Sequence, residues 1–275
     1  MTPHLGCYGL ALPDLTGARH LLRPVPADAP VLRVGQARGP STLTADLLDG
    51  DRAAFAMVHG AGDLHLDRAT RTAHFTTVEP LPHDHLVHPH LSLVSAIAAH
   101  WLGHDVFHAG AVSVAGRAWG VLGARDAGKS SLVAQAHVLG HPVVTDDVTV
   151  VVDRQVLPGP GLVDLRRGAA EHLGLGTPMG VVGRRERWRV PVPPAGPTPL
   201  AGWLVPAWGP PDLRPVPPAA RVPLLVQAAA LRRPPPDPAQ FFDLAGVPVL
   251  QWTRPRDWSL MAAATEQLLA ELARR

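Results

Sequence analysis

The sequence predicts an α/β fold built around a phosphate-binding loop, with a β-rich lobe ahead of it. Three observations predict this. Gly123, Ala124, Arg125, Asp126, Ala127, Gly128, Lys129 and Ser130 fit G-x-x-x-x-G-K-[ST], and Ser131 follows. Residues 118–122 are a short apolar run suited to a buried strand. Residues 131–139 place Leu132, Ala136 and Leu139 on one helical face before a stop at Gly140. Short strand-like runs separated by Gly, Pro and Asp punctuation fill residues 1–85.

Lys129 is the only lysine of the chain, and every other strong base is an arginine. A compact ammonium and a planar guanidinium are not interchangeable, so a lone lysine at this position points to a phosphate clamp. The loop's backbone N–H groups would form an anion-binding nest, reinforced by the positive end of the following helix. Lys129 would reach the β- and γ-phosphates of ATP, and Ser130 would ligate Mg²⁺. A chance glycine-rich turn is the competing reading.

The other elements follow in order. Residues 31–34, 53–58, 64–66 and 72–78 read as strands. Residues 89–101 read as a helix, with Leu91, Val94, Ile97, Ala98 and Trp101 on one face and Gly103 as a stop. Residues 106–114, a turn at 115–117 and residues 118–122 form a hairpin that feeds the loop. Residues 142–145 form a strand ending at Asp146 and Asp147, followed by a strand at 148–152 and a turn at 153–155. The segment 191–238 holds about half of the 31 prolines, which excludes long helices there. Residues 203–205 and 224–226 read as strand and helix fragments, and 232–238 reads as disordered. The chain closes on an amphipathic helix at 258–275, with Leu260, Ala263, Ala264, Leu268, Leu269 and Leu272 on its apolar face. The expected division is an N-terminal lobe at 1–88 and a nucleotide-binding domain at 89–275.

Composition bounds the function. Hydrophobic residues make up 46% of the 275 and charged residues 17%, enough for a sizeable core. No run of eighteen apolar residues is present, so no membrane span is expected. Residues 1–7 lack a basic-then-apolar leader, and one cysteine precludes an internal disulfide, so the expected location is cytoplasmic. Net charge is only +2 with no long basic block, so no nucleic-acid partner is expected. An oligomer is compatible with the sequence.

The chemistry centres on Asp146 and Asp147, seventeen residues beyond Lys129 and returned beside the loop by the intervening helix and strand. One carboxylate can hold Mg²⁺ while the other accepts a proton from an attacking hydroxyl, and two such neighbours should not share one pKa. A surface turn is the alternative. His108 lies fifteen residues before Gly123 and is either a hydrogen-bond partner of a carboxylate or phosphate, or a structural histidine. His83, His85, His88 and His90 are expected to form a solvated linker rather than a metal site. Arg184, Arg185, Arg187 and Arg189 are expected to form a solvated strip, with engagement of a γ-phosphate or an acidic substrate as the alternative.

The stretch from His108–Ala109–Gly110–Ala111–Val112 through the loop to Asp146–Asp147 resembles the catalytic core of the HPr kinase/phosphorylase family. The openings Tyr8–Gly9–Leu10 and Leu12–Pro13–Asp14–Leu15 are similar to those of its short, divergent serine-kinase members, as is the ending around Val247 to Asp257. The resemblance is specific over residues 105–153 and loose elsewhere. It implies a phosphoenolpyruvate-carboxykinase/HPr-kinase-like core, with Lys129 as phosphate clamp and Asp146 as acid/base. It assigns Ser130 and Asp147 to Mg²⁺, with His108 in the catalytic set. The family's glutamate-arginine-glycine signature is missing: residues 161–168 offer only Asp164 and Arg166, with Glu171 further on. Dual kinase/phosphorylase activity and a carrier-protein substrate are therefore not implied. Divergent members occur with peptide-tailoring clusters, where some phosphorylate a peptide hydroxyl. The leading expectation is an ATP-dependent kinase acting on a Ser/Thr-type hydroxyl of a protein or peptide, such as a peptide natural-product precursor. The alternative is a non-catalytic ATP-binding partner. A GTPase would need an N-K-x-D motif, which a chain with Lys129 as its only lysine lacks.

Overall fold

The computed structural model describes residues 4–57 and 61–275. Val58, at the end of one expected strand, and residues 1–3 of the expected leaderless N-terminus lie outside the described residues.

Strands β1 (His4–Cys7), β2 (Leu10–Ala11) and β3 (Arg23–Val25) form a small antiparallel sheet. A second sheet has the order β4-β8-β7-β6-β5, from β4 (Arg33–Arg38), β5 (Leu47–Leu48), β6 (Arg52–Ala56), β7 (Gly62–Asp67) and β8 (Thr72–Thr77). Helix α1 (His83–His85), a wider turn at Leu86–His90 and helix α2 (Leu91–Trp101) cover it. The buried side chains of this part form one core cluster that also takes in Val106, Val148, Val150 and Leu162. Apolar contact thus continues past residue 88 into the segment around the loop.

The largest sheet has nine strands. It is built from β9 (Asp105–Phe107), β10 (Gly110–Val114), β11 (Arg117–Val121), β12 (Val143–Thr145), β13 (Thr149–Val152), β14 (Gln155–Leu157), β18 (Thr198–Trp208), β19 (Asp212–Pro215) and β20 (Val249–Arg254). Between them, β15 (Leu162–Leu165), β16 (Thr177–Val182) and β17 (Arg185–Pro191) make a three-stranded sheet, with α4 (Arg167–Leu173) after β15. Helices α3 (Lys129–Val138) and α7 (Met261–Ala273) pack together against one face of the large sheet, through Leu132, Leu204, Trp252 and Leu268. Helices α5 (Pro218–Ala228) and α6 (Pro238–Gly246) cover the other, through Trp203, Leu225 and Leu244.

The hairpin β10–β11 runs into the loop as the apolar pattern predicts. The expected continuous strand at 106–114 is instead two strands. β9 pairs with β13, and β10 pairs with β12, with a break at His108–Ala109. At the break the His108 N–H donates to the Ala228 carbonyl at 2.8 Å. An unbroken apolar run carries no sign of where a chain changes partner strand.

The Pro-rich segment also departs from expectation. It contains the eleven-residue strand β18 and the eleven-residue helix α5. Pro218 occupies the first turn of α5, where its missing N–H is no loss. Pro223 and Ala219 both face solvent, so water can satisfy the carbonyl that Pro223 leaves free. Residues 232–237 are described and run without regular structure. In the last helix Leu268, Leu269 and Leu272 are buried as expected, but Leu260 and Ala263 are exposed, and Met261 and Thr265 take the inward positions.

One feature of the central strands fixes the loop's position. β11 and β18 are parallel, with Trp119 opposite Gly202 and Gly120 opposite Trp203. Each indole lies over the glycine of the other strand: a methyl at Gly120 would sit 2.3 Å from the Trp203 ring, and one at Gly202 would sit 2.6 Å from the Trp119 ring. Trp203 is held further by its Nε1–H donating to the Leu244 carbonyl at 3.0 Å. Gly120→Ala is therefore expected to destabilise the protein by about 1–3 kcal/mol through overpacking, read as a lower urea midpoint with an unchanged m-value. A midpoint equal to wild type would show that the strands are not locked in this way.

Candidate phosphate-transfer site

The loop leaves β11 at its carboxyl end and closes on α3. Gly123, Asp126 and Gly128 have φ of 131°, 68° and 83°, which turns the chain sharply enough for successive amides to face one side. Lys129 Nζ donates to the carbonyls of Gly123 at 2.7 Å and Ala124 at 3.1 Å, closing the loop on itself. Burial lowers the Lys129 pKa, opposed by the carboxylates of Asp146, Asp147 and Asp126. Ser131 lies one residue further into α3, beside the same cavity. That cavity, of about 830 Å³, is lined by the Gly128–Ser131 turn, both aspartates, His108 and a wall of arginines.

Strand β12 delivers Asp146 and Asp147 beside the loop. Ser130 Oγ donates to Asp146 Oδ1 at 3.1 Å. Asp147, the next residue, takes a left-handed φ of 70°. Its Oδ1 lies 3.5 Å from His108 Nδ1. The two carboxylates are pushed apart as titrating groups. Asp146 is 4% exposed, and burial, with the neighbouring Asp147 charge, raises it to about 7. Burial also pushes Asp147 upward, but the His88 and His108 rings, the Ser92 hydroxyl and Arg187 outweigh it, so it titrates below the usual carboxylate range. His108 is half-exposed; partial burial lowers its pKa, and Asp147 opposes that shift.

Two expectations about flanking clusters are overturned. The segment 83–90 is no solvated linker: it is helical on either side of an extended His88, which is 2% exposed. Arg187 Nη1 donates to His88 Nε2 at 3.2 Å, and His88 Nδ1 meets Ser92 Oγ at 3.3 Å. Burial lowers the His88 pKa, opposed by the carboxylates of Asp164 and Asp147, and its Nε2 lies 3.6 Å from Asp164 Oδ2. Nor is the arginine run a solvated strip. It runs from the turn at Arg184 into β17, where Arg189 is buried, and Arg184 and Arg185 are exposed at the cavity. Arg189 binds Asp164 through two contacts of 3.0 and 3.1 Å, and also donates to the Asp84 and His88 carbonyls. Asp164 is thereby committed to a buried guanidinium and does not stand in for the acidic member of the missing signature.

The residues fit ATP and Mg²⁺. A hard cation of that size takes oxygen ligands and commonly only one or two carboxylates, the rest coming from phosphates and water. Ser130, Asp146 and Asp147 supply such oxygens. Among the described residues no group of three or more His, Cys, Asp or Glu side chains forms a metal cage. Sequence reasoning missed Arg254, which is buried behind the loop and donates to the Ala127 carbonyl at 3.3 Å. The available signal was the alternation of Leu250, Trp252 and Arg254 along one strand face.

No family model and no curated protein matches the sequence. Among solved structures, the Hpr(Ser) kinase/phosphatase from Coxiella burnetii is similar at a TM-score of 0.30 and 13% identity, over 61% of this chain and 98% of that one. A likeness of that extent carries no argument about activity.

The aspartate pair gives a pH signature in magnesium-free protein. Asp146 holds its proton more tightly folded than unfolded, so its contribution to stability is full at low pH and is lost between about pH 4 and about pH 7. Asp146→Asn removes that loss. Its melting temperature should exceed wild type by a margin that grows across this window and levels off above it. A margin independent of pH would exclude the assignment.

Proposed function

We propose that the chain is an ATP- and Mg²⁺-dependent kinase that transfers a phosphoryl group to a hydroxyl of a protein or peptide. The observation that carries the reading is the complete phosphate loop with Ser130 bonded to one member of a buried aspartate pair whose two carboxyls titrate apart. Split carboxylates beside a phosphate site divide the labour of acid/base and charge stabilisation.

In this reading the loop amides and Lys129 hold the β- and γ-phosphates. Ser130 and the anionic Asp147 face Mg²⁺, which when bound neutralises developing charge on the phosphate oxygens. Asp146, poised near neutrality, accepts the hydroxyl proton. His108 orients Asp147 from the mouth of the cavity. The arginines at 125, 184 and 185 add positive charge along the wall. The cavity continues past Asp147 to Phe55, Leu64 and Phe75 of the N-terminal lobe and Leu93 of α2, an apolar arm for the side chains that flank an acceptor hydroxyl. A peptide substrate suits that shape better than a small free alcohol. Among the described residues no helix is long and apolar enough to cross a membrane.

Two measurements test the reading. Mg–ATP should raise the melting temperature by linkage, and Lys129→Ala should abolish most of that shift. An equal shift in the variant would remove the loop as the binding site. Asp146→Asn should leave ATP binding near normal and lower transfer of labelled phosphate to Ser- or Thr-containing peptides by about 10²–10⁴-fold. Undiminished turnover would take the proton-accepting role from Asp146. Failure to label any hydroxyl across a broad panel, with ATP still bound, would favour a non-catalytic ATP-binding protein.

A further inference from the structure

Arg254 is the last residue of β20, pairs in register with Trp208 of β18, and has no part in the transfer step described above. Its side chain is 2% exposed. The guanidinium lies between two indoles, 4.2 Å from the Trp208 ring centre and 4.4 Å from that of Trp252. Nη2 donates to the Ala127 carbonyl of the loop. Nε and Nη1 are buried without a hydrogen-bond partner, and among the described residues no carboxylate pairs with the charge. A buried cation in this condition destabilises a fold, and an apolar side chain of similar volume is usually better tolerated.

Its location gives the arginine a purpose. In a trans peptide the carbonyl and the next N–H point in opposite directions. A donor that holds the Ala127 carbonyl therefore fixes the direction of the Gly128 amide, one of the groups that would cradle an anion. Gly128 is shaped to this contact: its φ is 83°, and a methyl there would lie 2.5 Å from Arg254 Nη2 and 3.3 Å from the Trp208 ring. Gly128, Trp208 and Arg254 all line the cavity.

We propose that Arg254 is a positioning residue of the phosphate site, locking the Ala127–Gly128 peptide and keeping a buried positive charge whose counter-ion is the phosphate chain of the ligand. This rests on the nucleotide reading above. The two tryptophans keep water and competing carboxylates from the guanidinium, so an anion in the loop feels a charge screened far less than one at the surface.

The probe is Mg–pyrophosphate, which carries the phosphates without a base, titrated calorimetrically into the full chain. Arg254→Met keeps an unbranched stem and removes the charge. Its affinity should fall about 10- to 100-fold, as for loss of a charge-assisted hydrogen bond, and Arg254→Lys should be intermediate. The ligand-free melting temperature of Arg254→Met should equal or exceed that of wild type, which a merely structural arginine would not produce. Affinity within about twofold of wild type overturns the proposal. If Arg254→Met does not fold, Arg254→Lys decides by the same criterion. Wild-type protein that binds neither pyrophosphate nor ATP sinks the nucleotide reading and this proposal with it. Wild-type binding with indifferent Arg254 variants sinks the role of Arg254 alone.

Discussion

Three parallel strands, β11, β18 and β20, set the spacing on which the site depends. The reciprocal stacking of Trp119 on Gly202 and Trp203 on Gly120 admits one register between the first two. The ladder extends past the strand, because the Leu122 N–H donates to the Leu204 carbonyl at 2.8 Å just before the loop begins. On the far side β18 pairs with β20 from Trp203 through Trp208. A slip of one residue at either ladder would turn the inward side chains outward and move the guanidinium from behind the loop. Two glycines without side chains thus govern where the loop and Arg254 sit.

The electrostatics follow from how the charges are partitioned. One buried carboxylate, Asp164, is neutralised by Arg189 and approached by Arg187, and Arg187 also donates to His88 Nε2. Among the described residues neither Asp146 nor Asp147 is in salt-bridge contact with a guanidinium; Asp147 faces His108 instead. A buried aspartate held near neutrality and an adjacent one held ionised are the product of that arrangement. The ion cluster makes the wall, and the proposed chemistry falls to the two aspartates beside the loop.

What the sequence showed and what it hid divide along the range of the contacts. The loop, the hairpin β10–β11 and the strand ending at Asp146 were legible, because each is specified by residues close in the chain. The change of partner at His108, the burial of His88 and the commitment of Asp164 to Arg189 were not. Each depends on elements far away in sequence: Ala228 for the first, Arg187 on β17 for the second, and a cross-strand register for the third. The helix α5 was hidden by its own composition, since a proline on a solvent face breaks less than a proline count suggests. The separate roles expected of Asp146 and Asp147 came from the family resemblance, whereas the bond from Ser130 Oγ to Asp146 depends on side-chain placement that chain order does not carry.

The solitary lysine has a chemical consequence. Lys129 Nζ bridges the carbonyls of Gly123 and Ala124, and no other side chain in the sequence carries an amine. Acetylation of any lysine in this protein is therefore acetylation of the phosphate clamp. The amide so formed has no charge and a single N–H, enough for one of the two carbonyls and for neither phosphate. An amine-acylating reagent would thus have one side-chain amine to address, and occupancy of the loop by an anion would guard it.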